Sequence, residues 1–345
     1  MKSFYDYLKK NKDVTIKEKP WNAMDDLFCA CISYIPLLQN FEFKTFDELC
    51  SEVINFDYPS KPEYVSYTDK KIFTILKDSK RYHNMCFFNY VKIIDNNTQF
   101  GAITITLGSK KVISFQGSDG SMIGWIENLR LIYEYPTYTQ KLAIDYLKEN
   151  VHMFDYNVDV VGHSKGGNLA IVAAMEMKWY KKIRIKKVYN FDGPGLTETE
   201  YNSKRYQQIF QKIENYLPNK SYVGTLLYSD NNVVVDTNAM FIGVHYPTNW
   251  KINENDDFVL SNLSSLSKKI HQMTTSNLKD LDKKSIKKVL EEIFKVFDER
   301  KKEHFSITLR DIHNIIKKID NAPTKEKEYV LALIKSMFDL SNNKE

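Results

Sequence analysis

The segment Gly162-His163-Ser164-Lys165-Gly166 follows the β-branched run Val158-Asp159-Val160-Val161 and leads into Gly167-Asn168-Leu169-Ala170. A serine with glycine two residues before and two after it, placed between a strand and a small-residue helix, has the spacing of a nucleophile elbow. The turn is so sharp that side chains at the glycine positions would strike neighbouring backbone. The helix that follows presents free N–H groups and a positive dipole end beside Ser164, which suits a developing oxyanion. The chemistry implied is acyl transfer through a serine ester.

Such a serine needs a base and an acid that orients it, and behind an elbow of this type the chain order is serine, acid, histidine. Of the seven histidines, His245, His271, His304 and His313 follow Ser164 at usable distance. His245 comes after the apolar run Ala239 to Val244, read as a strand, whereas the other three fall in a helical tail, so His245 is the expected general base. His163 precedes the serine and is expected to point into packing, with no part in proton transfer. Three aspartates compete for the acid. Asp230 closes a predicted strand from Tyr222 to Tyr228 and is favoured; Asp192, in Phe191-Asp192-Gly193-Pro194-Gly195, and Asp236 are the alternatives.

An oxyanion also needs N–H donors. One is the amide of Lys165, directly after the nucleophile. The turn Phe115-Gln116-Gly117-Ser118-Asp119-Gly120, beyond the predicted strand Val112 to Phe115, offers the second at Ser118, which carries both an amide and a hydroxyl.

These loops must be held by a scaffold, and the patterning supplies one. Residues 1 to 95 read as mostly helical, with Asn22 or Asp25 placed to cap a helix through Phe28 and Ile32. From Phe100 the pattern turns to strands: Ala102 to Leu107 and Val112 to Phe115, joined by a Gly108-Ser109-Lys110-Lys111 hairpin, then Ile185 to Phe191 after a helix at Gln140 to Asn150 and the elbow. Alternating strands and helices predict an α/β fold with a mostly parallel sheet, whose ligands bind beyond the carboxyl ends of the strands. Ser285 to Arg300, Asp311 to Asp320 and Glu328 to Leu340 read as amphipathic packing helices. A hydrolase unit at 1–260 and a helical C-terminal extension at 261–345 are therefore expected.

The 345 residues are 43% apolar and 27% charged, enough for a large core and unlike a disordered chain. The net charge of +5 belongs to the tail, where residues 261–345 hold 18 Lys and Arg against 13 Asp and Glu. Acids are interleaved with those bases and no aromatic stacking cluster accompanies them, which argues against nucleic acid as a partner. The run Lys181-Lys182-Ile183-Arg184-Ile185-Lys186-Lys187 reads as a solvated loop, with contact to an anionic membrane surface as the sharper alternative. Cys29, Cys31, Cys50 and Cys86 have neither zinc-ligand nor disulfide-framework spacing. No signal-peptide core opens the sequence and its longest apolar stretch is too short to cross a bilayer, so a cytoplasmic location is expected.

Val112-Ile-Ser-Phe-Gln-Gly-Ser118, Gly124-Trp125-Ile126-Glu127-Asn128, the Gly-His-Ser-Lys-Gly-Gly-Asn-Leu-Ala elbow and Asn190-Phe-Asp-Gly-Pro-Gly195 together resemble the class 3 lipase pattern. The closer similarity is to an uncharacterised bacterial lipase-like family of α/β-hydrolases, extending to Pro20-Trp21-Asn22 with Asp25, to Ser221-Tyr222-Val223-Gly224 and to Val244-His245 with Trp250. That resemblance implies the α/β-hydrolase fold and the roles of Ser164, His245 and Ser118. Two positions depart from it: Gln116 stands where an arginine is usual, and the aspartate ahead of an Ile/Val-Pro pair has no counterpart after Asp230.

The function expected is a serine hydrolase, a carboxylesterase or lipase acting on a small-molecule or lipid acyl ester with no metal or organic cofactor. The alternative of another class is a catalytically silent α/β-hydrolase fold used as a binding module.

Overall fold

The computed structural model describes residues 2–35, 40–56, 70–95, 98–118, 122–276 and 281–298, with positions 314, 317, 323 and 325–330 beyond them. Within these residues eight strands form one sheet in which spatial order equals chain order. The first half is antiparallel: β1 (Phe41–Thr45), β2 (Cys86–Ile94), β3 (Gln99–Leu107) and β4 (Lys110–Phe115) pair successively. Gly108, at φ 58°, makes the tight β3–β4 hairpin. From β4 onward, β5 (Val158–His163), β6 (Ile185–Phe191), β7 (Ile213–Pro218) and β8 (Asn232–Val235) are parallel. The chain is thus an α/β protein with a mixed sheet, parallel where the elbow lies.

Helices cover both faces of that sheet. Side chains alternate along a strand, so Val112 and Val161 join one core while Ile113 and Val160 join the other. The first core is closed by α1 (Phe4–Asn11), α2 (Ala23–Ile32), α3 (Phe46–Asn55) and α4 (Lys70–Leu76). α6 (Tyr138–Asn150) and α7 (Lys165–Met175) close the second, where Ala170, Ala173 and Ala174 are fully buried. The α2 cap uses both expected residues: the Asn22 side chain accepts from the Met24 amide, and Asp25 accepts from the Asn22 amide. Asp25 also takes two hydrogen bonds from the wholly buried Arg81 guanidinium, at 2.8 and 2.6 Å, and one from Tyr82. That ion pair fastens the chain around Pro20 to the turn before β2.

A third core joins α5 (Met122–Arg130), through Ile126 and Leu129, to Ile286, Leu290 and Ile293 of the helix Lys283–Asp298. One-turn helices α8 (Trp179–Lys182), α9 (Glu198–Tyr201) and α10 (Lys204–Gln207) flank β6, and α11 (Ser265–Thr275) and α12 (Lys283–Asp298) follow the sheet. α11 docks on residues 219–228, where Thr274 accepts from the Leu227 amide at 3.1 Å and Tyr228 donates to the Thr275 carbonyl at 3.2 Å. The helices expected at 311–320 and 328–340 lie largely outside the described residues. Among the described residues no helix is long and apolar enough to cross a membrane.

Two strand expectations give way. Tyr222 to Tyr228 is a looped segment, with the Leu226 amide bonded back to Val223 and Leu227 at φ 65°; β7 and β8 stand before and after it. Ala239 to Val244 ends in a 3-10 turn, Phe241–His245, in place of a strand. The N-terminal segment, expected to be helical, also supplies β1 and β2.

Candidate active site

Ser164 stands between β5 and α7 with φ 57° and ψ −134°, a left-handed conformation that costs a non-glycine residue about 1–3 kcal/mol. The turn around it is as tight as the glycine spacing requires: a Cβ at Gly162 would collide with the Gly166 carbonyl, and one at Gly166 with the carbonyl of Phe115. The Ser164 amide donates to Phe191 at 2.9 Å, and its carbonyl accepts from Gly167 at 2.9 Å. The serine is buried, at 6% exposure.

His245 reaches the same end of the sheet from its 3-10 turn, which the Trp250 indole anchors by donating to Val244 at 3.0 Å. Its Nδ1 lies 2.6 Å from Oδ2 of Asp192. A carboxylate can only accept here, so Nδ1 carries the proton and Nε2 is the basic nitrogen. Asp192 closes β6 at φ 52° and is 1% exposed. Its other oxygen accepts from the Ser221 hydroxyl and from the Gly224 amide, the latter at 3.0 Å. The looped segment that replaces the expected strand therefore serves as the cradle of this carboxylate.

The structure brings Asp192 to His245, and it does not bring Asp230 or Asp236 there. Asp230 precedes β8, on the amino-terminal side of that strand, and accepts from the Tyr201 hydroxyl. Asp236 follows β8, but Lys251 at 2.6 Å and the Asn219 amide at 3.0 Å take its oxygens. Of the other histidines, His271 faces the Thr225 carbonyl from α11 at 3.1 Å, while His304 and His313 lie outside the described residues.

His163 packs its ring on that of His245, with centroids 4.4 Å apart. Its Nε2 is 2.9 Å from the His245 carbonyl oxygen, which only accepts, so Nε2 bears the hydrogen and Nδ1 accepts from the Tyr34 hydroxyl at 3.0 Å. Burial, with the neighbouring His245 second, pushes the His163 pKa well below the usual histidine value, so the ring is neutral. The sequence placed His163 in packing; what it could not display is that this packing holds the backbone of the residue carrying the base.

On the other side of Ser164 runs the 116–118 turn. A Cβ at Gly117 would strike the Tyr34 hydroxyl and the His163 carbonyl and would lie 2.9 Å from Ser164 Cβ, so only glycine lets this turn lie against the serine. Ser118 donates its hydroxyl hydrogen to the Gly124 carbonyl at 3.2 Å and accepts from the Asn128 amide at 2.9 Å. Lys165 sends a fully buried side chain to Glu127 and Gln99. Glu127, Gln99 and Tyr34 were not singled out as site residues. Glu127 alone had a signal, the spacing of Gly124, Glu127 and Asn128 along one helix face.

Among the described residues no group of acidic, histidine and cysteine side chains could hold a metal ion. Two surface grooves, one along Met24, Tyr216 and Phe258 and one along Phe41, Tyr90 and Tyr146, contain neither Ser164 nor His245.

No curated protein matches the chain. Among solved structures it is similar to the crystal structure of M37 lipase, at 14% identity over 58% of this chain and 67% of that one, with a TM-score of 0.37. It is also similar to a fungal lipase–inhibitor complex, described as a model for interfacial activation in lipases, at 14% identity over 58% and 73% of the two chains, with a TM-score of 0.32. Residues 76–295, more than half of the sequence, match the Mbeg1-like family, and the chain belongs to that family.

Proposed function

We propose that the protein is a serine hydrolase of the carboxylesterase or lipase type. The observation that carries this reading is the His245–Asp192 hydrogen bond at the carboxyl ends of the strands, with the His245 ring packed on that of His163, the residue before a serine held at φ 57°. Ser164 Oγ attacks the ester carbonyl while His245 Nε2 takes its proton, and Asp192 stabilises the imidazolium that forms. The oxyanion is received by the amides of Lys165 and Ser118. His245 then returns the proton to the leaving alkoxide, and a water, deprotonated by the same nitrogen, releases the carboxylic acid and regenerates the serine.

The site's own side chains supply every proton transfer in this sequence. An acyl ester, from a small molecule or a lipid, is the substrate class it serves. Covalent labelling of Ser164 by a fluorophosphonate tests the reading, because only an activated serine reacts. Absence of labelling in folded protein would leave the fold as a binding module.

A further inference from the structure

We propose that the Lys165 side chain, together with Gln99 and Glu127, is a positioning device that sets the two oxyanion donors of this site against each other, an inference that rests on the serine-hydrolase reading. The two donors belong to different elements, the start of α7 and the turn after β4. Two side chains in series, Lys165 and Gln99, join them. The Lys165 ammonium donates to the Gln99 carbonyl at 2.6 Å, to Gln99 Oε1 at 2.9 Å and to the Glu127 carboxylate. The Gln99 amide then donates to the Gly117 carbonyl at 3.1 Å.

That last contact aims an N–H. The carbonyl of Gly117 and the amide of Ser118 are one planar peptide group, so fixing the oxygen fixes the direction of the hydrogen on its opposite side. From α5, Asn128 and the Gly124 carbonyl hold the Ser118 side chain as well. One face of α5, at Gly124, Glu127 and Asn128, therefore frames the oxyanion side of the site, while Ile126 and Leu129 face the third core.

Burying such a network is not explained by stability. Lys165 and Gln99 are wholly buried and Glu127 is 2% exposed, and a buried ion pair gains little over apolar residues of the same volume. Burial pushes the Glu127 carboxyl above its ordinary pKa, against the pull of Lys165. What the network does provide is fixed geometry, and a misplacement of about 1 Å at a reacting centre costs on the order of 100-fold in rate.

Two variants test the proposal: Gln99→Met, which removes the link to Gly117, and the double variant Lys165→Met with Glu127→Gln, which leaves no unpaired buried charge. Each is compared with wild type in p-nitrophenyl ester hydrolysis and in affinity for a trifluoromethyl ketone, whose adduct with Ser164 is an anionic hemiketal. The expected result is a kcat lower by about 100-fold with KM little changed, and adduct affinity lower by a similar factor. Folded variants with wild-type kcat, or with reduced kcat but unchanged adduct affinity, overturn it. If the double variant fails to fold, Gln99→Met alone decides. A wild-type protein inert to both reagents contradicts the hydrolase reading itself, before any variant is made.

Discussion

Asp192 and His245 stand 53 residues apart in the chain, and their side chains meet at 2.6 Å beyond the carboxyl end of β6. Asp192 is additionally held by Ser221 and Gly224, so its carboxylate meets His245 in a preset orientation. Asp192→Asn is therefore expected to lower kcat by about 10⁴, because the amide favours the wrong imidazole tautomer. Asp230→Asn and Asp236→Asn are expected to stay within about tenfold of wild type, since their carboxylates are engaged elsewhere. Steady-state ester hydrolysis by the three variants decides among them, and a severe Asp230 variant with an active Asp192 variant would refute the assignment.

The Ser118 hydroxyl already has two partners on α5. Ser118→Ala should then act mainly on stability, by about 1 kcal/mol for the lost hydrogen bonds, with kcat reduced less than about tenfold because the backbone amide remains. Thermal unfolding and kcat measured side by side check this. A loss of about 100-fold in kcat at unchanged Tm would assign the oxyanion contact to the hydroxyl.

His163 is neutral in the fold, its pKa depressed by burial. The unfolded chain binds a proton at this position below about pH 6.5 that the folded chain does not, so its contribution to stability is present above that pH and is lost as pH falls. The destabilisation caused by His163→Gln should consequently shrink below about pH 6.5, by up to ~1.4 kcal/mol per pH unit. Denaturant unfolding of both proteins at pH 5.5 and 7.5 measures it. A pH-independent difference would mean that His163 titrates alike in both states.

How far the sequence disclosed this site depended on how local each signal was. Ser164 needs only its neighbours: a strand, two glycines and a helix start are contiguous, and β6 and α6 were equally plain from runs of one period. The acid needed the strand count to be right. Ile213-Glu-Asn-Tyr-Leu-Pro218 breaks the period of two with adjacent polar residues and ends in proline, a weak strand signal, whereas Tyr222 to Tyr228 is apolar enough to look like one. Reading the second as the strand made Asp230 seem to close a carboxyl end, when it in fact precedes β8. The same logic covers Pro20-Trp21-Asn22 and Asp25, whose partner Arg81 lies in a distant turn. Gln99 and Tyr34 act through contacts between elements that no period or spacing records, and the spacing that puts Glu127 on a face with Gly124 and Asn128 does not disclose Lys165 as its partner.

The most direct measurement is covalent labelling of the wild-type protein and of Ser164→Ala by a fluorophosphonate, read by intact mass and by the peptide modified. The account predicts a single adduct on the peptide carrying Ser164, formed at a rate that Asp192→Asn and His245→Ala depress, and none on folded Ser164→Ala. Equal labelling of wild type and Ser164→Ala, or a folded wild-type protein that takes up no label, would contradict it.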